Sequence, residues 1–132
     1  MDPAAAARRW GETWQRVWPD VNVEALSALY HPDVQYAVEP FRGVIRGATD
    51  LRRYFADVFA EETDLTAWFG EPIVEGERAS IEWWATLLEN GEATSIVGTS
   101  TLRFDAAGLV IEQRDTWNQS SGHMRPPEGW GR

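Results

Sequence analysis

Apolar and polar positions alternate most regularly between Ser80 and Asn118, SIEWWATLLENGEATSIVGTSTLRFDAAGLVIEQRDTWN. Alternation sustained over such runs marks half-buried strands. Asn90-Gly91 interrupts it once, and both residue types tolerate the positive φ of a tight hairpin. Asp105-Ala106-Ala107-Gly108 interrupts it again, with Gly108 in the left-handed position. The stretch predicts a three-stranded antiparallel meander. A two-residue loop at Asn90-Gly91 pairs Ile81 with Ser100, Trp83 with Gly98 and Ala85 with Ile96. A four-residue loop at 105–108 pairs Phe104 with Leu109, Leu102 with Ile111, Ser100 with Gln113 and Gly98 with Asp115. One face then carries Ile81, Trp83, Ala85, Leu87, Ile96, Leu102, Phe104, Ile111 and Trp117, with Ser100, Gln113 and Asp115 among them. The other carries Glu82, Trp84, Val97, Thr99, Val110 and Arg114. A carboxylate on a core wall is costly unless paired or used, which singles out Asp115. A one-residue slip would turn it outward.

The remaining elements follow from other periods. Trp10, Trp14, Val17 and Trp18 share one face of a helix over Pro3–Trp18, capped by Asp2 before Pro3 and ended by Pro19. A short second helix starts at Asp20 or Asn22 and ends near Tyr30, before His31-Pro32-Asp33. Val34–Phe41 reads as a strand stopped by Pro40, and Arg42–Gly47 as a turn or short strand. Thr49 or Asp50 caps a third helix to about Ala60, with Leu51, Tyr54, Phe55, Val58 and Phe59 inward. Asp64–Glu75 reads as a strand bent at Gly70 and Pro72, and residues 120–132 as an irregular tail pinned by Trp130. This order predicts one α+β domain over residues 1–132, its helices packed on one face of a curved antiparallel sheet. Trp14, Tyr54 and the inner meander face would line a pocket between the layers.

Composition narrows the function classes. A formal net charge of −9 argues against nucleic acid and anionic membranes as partners. No cysteine is present, which removes disulfide and thiolate chemistry and fits a cytoplasmic protein. MDPAAAARRW lacks a signal-peptide apolar core, and no apolar run is long enough to span a bilayer. With only two His, a His-rich metal site is not expected. Eight Trp point to an aromatic core or an aromatic-lined pocket.

Three stretches in this order carry a resemblance to a family: ALSALYHPDV, AVEPFRGVIRG and TSTLRFDAAGLVIEQRDTWN. The chain resembles the nuclear transport factor 2-like superfamily, and within it the SnoaL-like group of polyketide cyclases and ketosteroid isomerases. The resemblance implies a cone-shaped α+β barrel, often a homodimer through the outer sheet face. It also implies a deep hydrophobic pocket for a small, usually cyclic molecule, with no metal or organic cofactor. Glu39, before Pro40-Phe41, stands near the first-strand base of the isomerases. Trp14 stands where they have an oxyanion-stabilising Tyr, and Ser100 where they have a protonated Asp donor. Asp115 matches the last-strand acid/base Asp of the cyclases.

The candidates are therefore Asp115 and Glu39 for proton transfer, with Trp14, Tyr54, Trp83, Ser100, Gln113 and Trp117 around the substrate. Desolvation should raise the pKa of Asp115 towards neutrality. The alternative is a carboxylate paired with Arg114, Arg42 or a buried hydroxyl. Glu39 has the alternative of a solvated edge acid. Ser100 and Gln113 either orient a ligand or satisfy each other. His31 reads as a helix-terminal cap, and His123 has no evident partner. Trp14, Trp68, Trp83 and Trp117 either form an aromatic wall or fill the cone. Trp84 and Val97 on the outer face suggest the dimer contact, and Glu61-Glu62 with Asp64 a solvated helix end. Two readings result: a cofactor-free cyclase, isomerase, dehydratase or hydrolase, or a non-catalytic ligand-binding or scaffold protein.

Overall fold

The computed structural model describes residues 1–132. Three helices, α1 (Pro3–Val17), α2 (Val23–Ser27) and α3 (Ala48–Phe59), pack against one curved, unclosed sheet. Its strands are β1 (Tyr30–Ala37), β2 (Ile45–Arg46), β3 (Glu62–Phe69), β4 (Ile73–Glu75), β5 (Arg78–Glu89), β6 (Glu92–Phe104) and β7 (Val110–Ser121). The spatial order is β2-β1-β7-β6-β5-β3, with β4 beside β5. The architecture is the expected α+β arrangement, with one exception to its antiparallel pairing: β1 runs parallel to β7.

The β5–β6 hairpin has the expected register, Trp83 opposite Gly98 and Ile81 opposite Ser100, around Asn90 (φ 50°) and Gly91 (φ 82°). The β6–β7 register differs from expectation by two residues. Ser100 faces Asp115 rather than Gln113, and Gly98 faces Trp117 rather than Asp115. The cause is the turn. Asp105 Oδ1 accepts from the amides of both Ala107 and Leu109, and a bulge between Arg103 and Phe104 sets Phe104 against Val110. An even shift keeps Asp115 inward. The bulge also turns Val110 into the core, where simple alternation places it outside, and leaves Ile111 half-buried.

Other boundaries move for local reasons. Asp2 caps α1 by accepting from Ala5 N, as the Asp-Pro start requires. Helix α2 stops at Ser27 and β1 begins at Tyr30, because Tyr30 pairs with Val110 and Val110 N donates to Leu29 O. Helix α3 starts slightly earlier than expected, after Gly47 at φ 88°, with no side-chain cap. The strand expected over 64–75 is two strands, β3 and β4. They part at Gly70-Glu71-Pro72, where Glu71 N donates to Gly131 O. Glu62 belongs to β3 and is buried, so the acidic run is not a solvated helix end.

The core lies between the helices and the concave sheet face, with Trp10, Leu26, Val34, Leu51, Phe55, Ile81 and Leu102 almost fully buried. On the convex face the C-terminal tail lies across the sheet as a strap. Trp84 Nε1 donates to Met124 O at 2.7 Å, Trp130 stands edge-on to Trp84 at 5.9 Å, and Arg125 covers Trp68 at 5.6 Å. Trp68 is thus a convex-face residue and not part of the inner aromatic wall. Trp84, the residue that suggests a dimer contact, is half-buried beneath this chain's own tail. No helix is long and apolar enough to cross a membrane.

Candidate active site

A cavity of about 350 Å³ opens between the helices and the concave face. Alternation along β7 points Gln113, Asp115 and Trp117 into it, and the β6–β7 register sets Ser100 beside Asp115. Trp14 and Trp18 enter from α1, Tyr36 and Val38 from the β1 side, Tyr54, Phe55 and Phe59 from α3, and Trp83 from β5. A cavity remains despite eight Trp because several of them are spent elsewhere, Trp68, Trp84 and Trp130 on the convex side.

Asp115 is the centre of a buried hydrogen-bond network. Its Oδ1 accepts from Ser100 Oγ at 2.7 Å and from Gln113 Nε2 at 3.0 Å, and its Oδ2 accepts from Tyr36 OH at 2.7 Å. Trp83 Nε1 donates to Ser100 Oγ at 2.9 Å, which directs the serine proton to Asp115. Tyr30 OH donates to Gln113 Oε1 at 2.7 Å and accepts from Trp10 and Trp14 Nε1, each at 3.2 Å. That bond orients the Gln113 amide so that its NH₂ faces the carboxylate. Trp83 reaches Ser100 because Gly98 lies beneath its ring, where a Cβ would stand 2.6 Å from the indole.

Burial raises the Asp115 pKa from 3.8 to about 6, against the opposing pull of Ser100, Gln113 and Tyr36. Desolvation, then the Asp115 charge, pushes Tyr36 well above its ordinary value, so it stays a neutral donor. Burial and then Asp115 lift Tyr54 to about 12. Oδ1 carries two donors and Oδ2 one, so the lone pair left for chemistry belongs to Oδ2.

A second acid lines the same cavity. Glu62 Oε1 accepts from Trp18 Nε1 at 3.0 Å. Burial raises its pKa from 4.5 to about 7; the Trp18 bond opposes this, and Glu89 and Glu61 add to it.

The structure brings together Asp115, Trp14, Tyr54, Trp83, Ser100, Gln113 and Trp117. Glu39 is not on the cavity wall; it is half-exposed and paired with Arg42 at 3.6 Å. Trp117 stands at the rim, 37 % exposed, its Nε1 donating to Val38 O. His31 Nδ1 accepts from Asp33 N, and His123 Nε2 donates to Leu87 O in the tail; neither reaches the cavity. Tyr36, Tyr30, Trp18 and Glu62 were missed from sequence. Tyr36 was legible, since it alternates with the inward Val34 and Val38. Glu62 was not. A bulge between Thr63 and Thr66, with Asp64 at φ 50°, breaks the parity that joins it to Leu65 and Ala67.

Comparison with known proteins agrees with this architecture. Rv0760c from Mycobacterium tuberculosis superposes with a TM-score of 0.76 at 20 % identity, covering 92 % of this chain and 98 % of that one. SalBIII, an epoxide hydrolase/cyclase-like enzyme in pyran ring formation in polyether salinomycin, gives 0.78 at 15 % identity over 91 % and 98 %. A computationally designed 17-OHP binder gives 0.73 at 21 % identity over 92 % and 100 %. An NTF2-like protein from Exiguobacterium sp. gives 0.71 at 13 % identity over 86 % and 98 %, and these likenesses together show an NTF2-like fold. Among curated proteins, none matches the sequence. Residues 7–113 match the SnoaL-like domain, and the chain belongs to that family.

Proposed function

We propose that the protein binds a small, hydrophobic, cyclic molecule in the cone cavity and performs cofactor-free acid/base chemistry on it, with Asp115 as the proton carrier. The carrying observation is a carboxylate on the wall of an aromatic cavity, held by three donors, with its pKa at about 6. At neutral pH this group is mainly ionised and accepts a proton on Oδ2. That proton comes from a carbon beside a carbonyl, or from a hydroxyl about to close a ring. The carboxyl then returns it to the oxygen or carbon that has gained the electron pair, and both charge and protons balance. Tyr36 remains protonated throughout and holds Oδ2 in place. Trp14, Trp83 and Trp117 supply ring faces, and Tyr54 a hydroxyl, for orienting the ligand. Glu39 lies off the wall, beside Arg42, and has no part in this scheme.

A second reading, a non-catalytic binding protein, is favoured by one observation. Every donor around Asp115 already has an acceptor within the chain, as a structural carboxylate would require. The fold accommodates both roles, since it is shared by SalBIII and by a designed binder. Hydrogen–deuterium exchange at carbons beside the carbonyl of polycyclic ketones, followed by NMR in D₂O, separates the two. Catalysis predicts exchange that rises through about pH 6 and vanishes in Asp115→Asn, while the ketone still binds. Bound ketone with no accelerated exchange in the wild type would move the assignment to the binding reading.

A further inference from the structure

Behind the cavity wall lies a chain of hydrogen bonds whose direction is fixed from one end. An indole N–H can only donate. Trp10 and Trp14, both on α1, aim theirs at one phenol oxygen, that of Tyr30, each at 3.2 Å. These two donors occupy the oxygen's acceptor positions and leave its proton one acceptor, Gln113 Oε1 at 2.7 Å. The carbonyl end of Gln113 is thereby held towards Tyr30. Its NH₂ end is held towards Asp115 Oδ1 at 3.0 Å and Ser100 Oγ at 3.5 Å. With its ends exchanged, the amide would set an oxygen against the carboxylate and a donor against the phenol proton. Tyr30 is only 4 % exposed and does not line the cavity, so it meets no ligand. Burial pushes its hydroxyl far above the ordinary range, and it keeps its proton throughout. A phenylalanine ring would fill the same space; what the hydroxyl adds is direction.

We propose that Tyr30, backed by the indoles of Trp10 and Trp14, is a positioning residue for Asp115: acting through Gln113, it governs how firmly the carboxyl holds its proton. The inference rests on the reading of Asp115 as the proton carrier, and it reaches a residue two hydrogen bonds behind the carboxyl. A donor bond from Gln113 favours the carboxylate over the acid, and a chain polarised from its indole end strengthens that bond. The other titratable groups facing Asp115 are Tyr36 from β1 and Tyr54 from α3, both held protonated, while Arg42, Glu61, Glu62 and Glu89 share the cavity. None of these is hydrogen-bonded to Gln113. Tyr30→Phe therefore leaves every charge around the carboxyl in place and alters only what orients the amide.

The test is a carbon-detected NMR titration of the Asp115 carboxyl in wild type, Tyr30→Phe, Gln113→Met and the double variant, with circular dichroism to check that each is folded. Without the phenol, Gln113 is free to turn, and the Asp115 midpoint should rise by about one pH unit, a tenfold tighter hold on the proton. Trp10→Phe removes one of the two indole donors and keeps the phenol. It should raise the midpoint by a smaller amount, and it carries the test if Tyr30→Phe does not fold. In Gln113→Met the path is cut. The midpoint should lie above that of wild type, and adding Tyr30→Phe should move it by less than about a third of a unit. A wild-type midpoint in folded Tyr30→Phe or Trp10→Phe overturns the proposal. So does a Tyr30→Phe shift of equal size with and without Gln113, because the effect would then reach Asp115 by another route. If the wild type accelerates ketone exchange, the rise of that exchange with pH should move with the midpoint in Tyr30→Phe. A shifted midpoint in a protein that exchanges no ketone sustains the positioning role and removes the catalytic reading alone.

Discussion

Replacing Asp115 by Asn should make the protein relatively more stable as pH rises, and the size of the gain follows from the geometry. In the native state the carboxyl holds its proton up to about pH 6, whereas the unfolded chain releases it near 3.8. Between those values the native state binds more protons, so wild-type stability falls as pH rises. Below the lower value both states are protonated and no penalty exists; above the upper value it is complete. The displacement corresponds to about 3 kcal/mol. Asn carries no such penalty and fits the network. Its oxygen accepts from Ser100 and Gln113, and its amide donates to a Tyr36 hydroxyl that has turned towards the cavity. Urea unfolding followed by far-ultraviolet circular dichroism, from about pH 4 to about pH 7, measures both proteins. The variant's stability relative to wild type should increase by about 2.4 kcal/mol across that range, the rest of the displacement lying below pH 4. Glu62 and the surface carboxylates contribute equally to both chains and cancel in the difference. Parallel profiles would refute the reasoning, because they would mean that Asp115 ionises as readily in the folded protein as in the unfolded one.

Other outcomes can be checked alongside it. Ser100→Ala removes a donor from Asp115 and leaves Trp83 Nε1 without an acceptor; it should cost about 1–3 kcal/mol in thermal or urea unfolding. Tyr36→Phe takes the donor from Oδ2, so the Asp115 carboxyl, read by carbon-detected NMR titration, should titrate above its wild-type midpoint. Gly98→Ala places a methyl group 2.6 Å from the Trp83 ring and from Thr116 O. It should cost about 1–3 kcal/mol and shift the near-ultraviolet dichroism of Trp83. Trp130→Ala loosens the tail from Trp84 and should lower stability by about 1–2 kcal/mol, with self-association through the uncovered face visible in sedimentation.

What sequence patterning could reach depended on whether a rule of parity survived. The β5–β6 hairpin was legible residue by residue, because Asn90-Gly91 admits few loop geometries. The β6–β7 register was not, since Asp105 builds a longer turn through its own side chain and a bulge follows. Asp115 still pointed inward because the error was even. Ser100, Gln113 and Asp115 were therefore recognisable as polar intruders on an apolar face, but their mutual bonds were not. Those bonds depend on Tyr36, Tyr30 and Trp83 arriving from other strands, and pairwise alternation carries no such information. Glu62 failed for the opposite reason, as an odd displacement in β3 reversed its side. The parallel β1–β7 pair was equally invisible, because nothing in either strand's pattern names its partner.

That parallel pair also dictates when the site comes into being. Tyr36 and Asp115 are 79 residues apart, and the strands bearing them are joined by the sheet's one parallel pairing. The β5–β6–β7 meander is built of neighbours in sequence and can form early, whereas β1 must wait for β7 to leave the ribosome. Until it docks, Asp115 lacks its Tyr36 donor and Gln113 lacks the hydroxyl that orients it. A nascent chain halted before Val110 would have helices and a hairpin but no proton-carrying centre. Competence at this site is thus acquired only when β1 docks alongside β7.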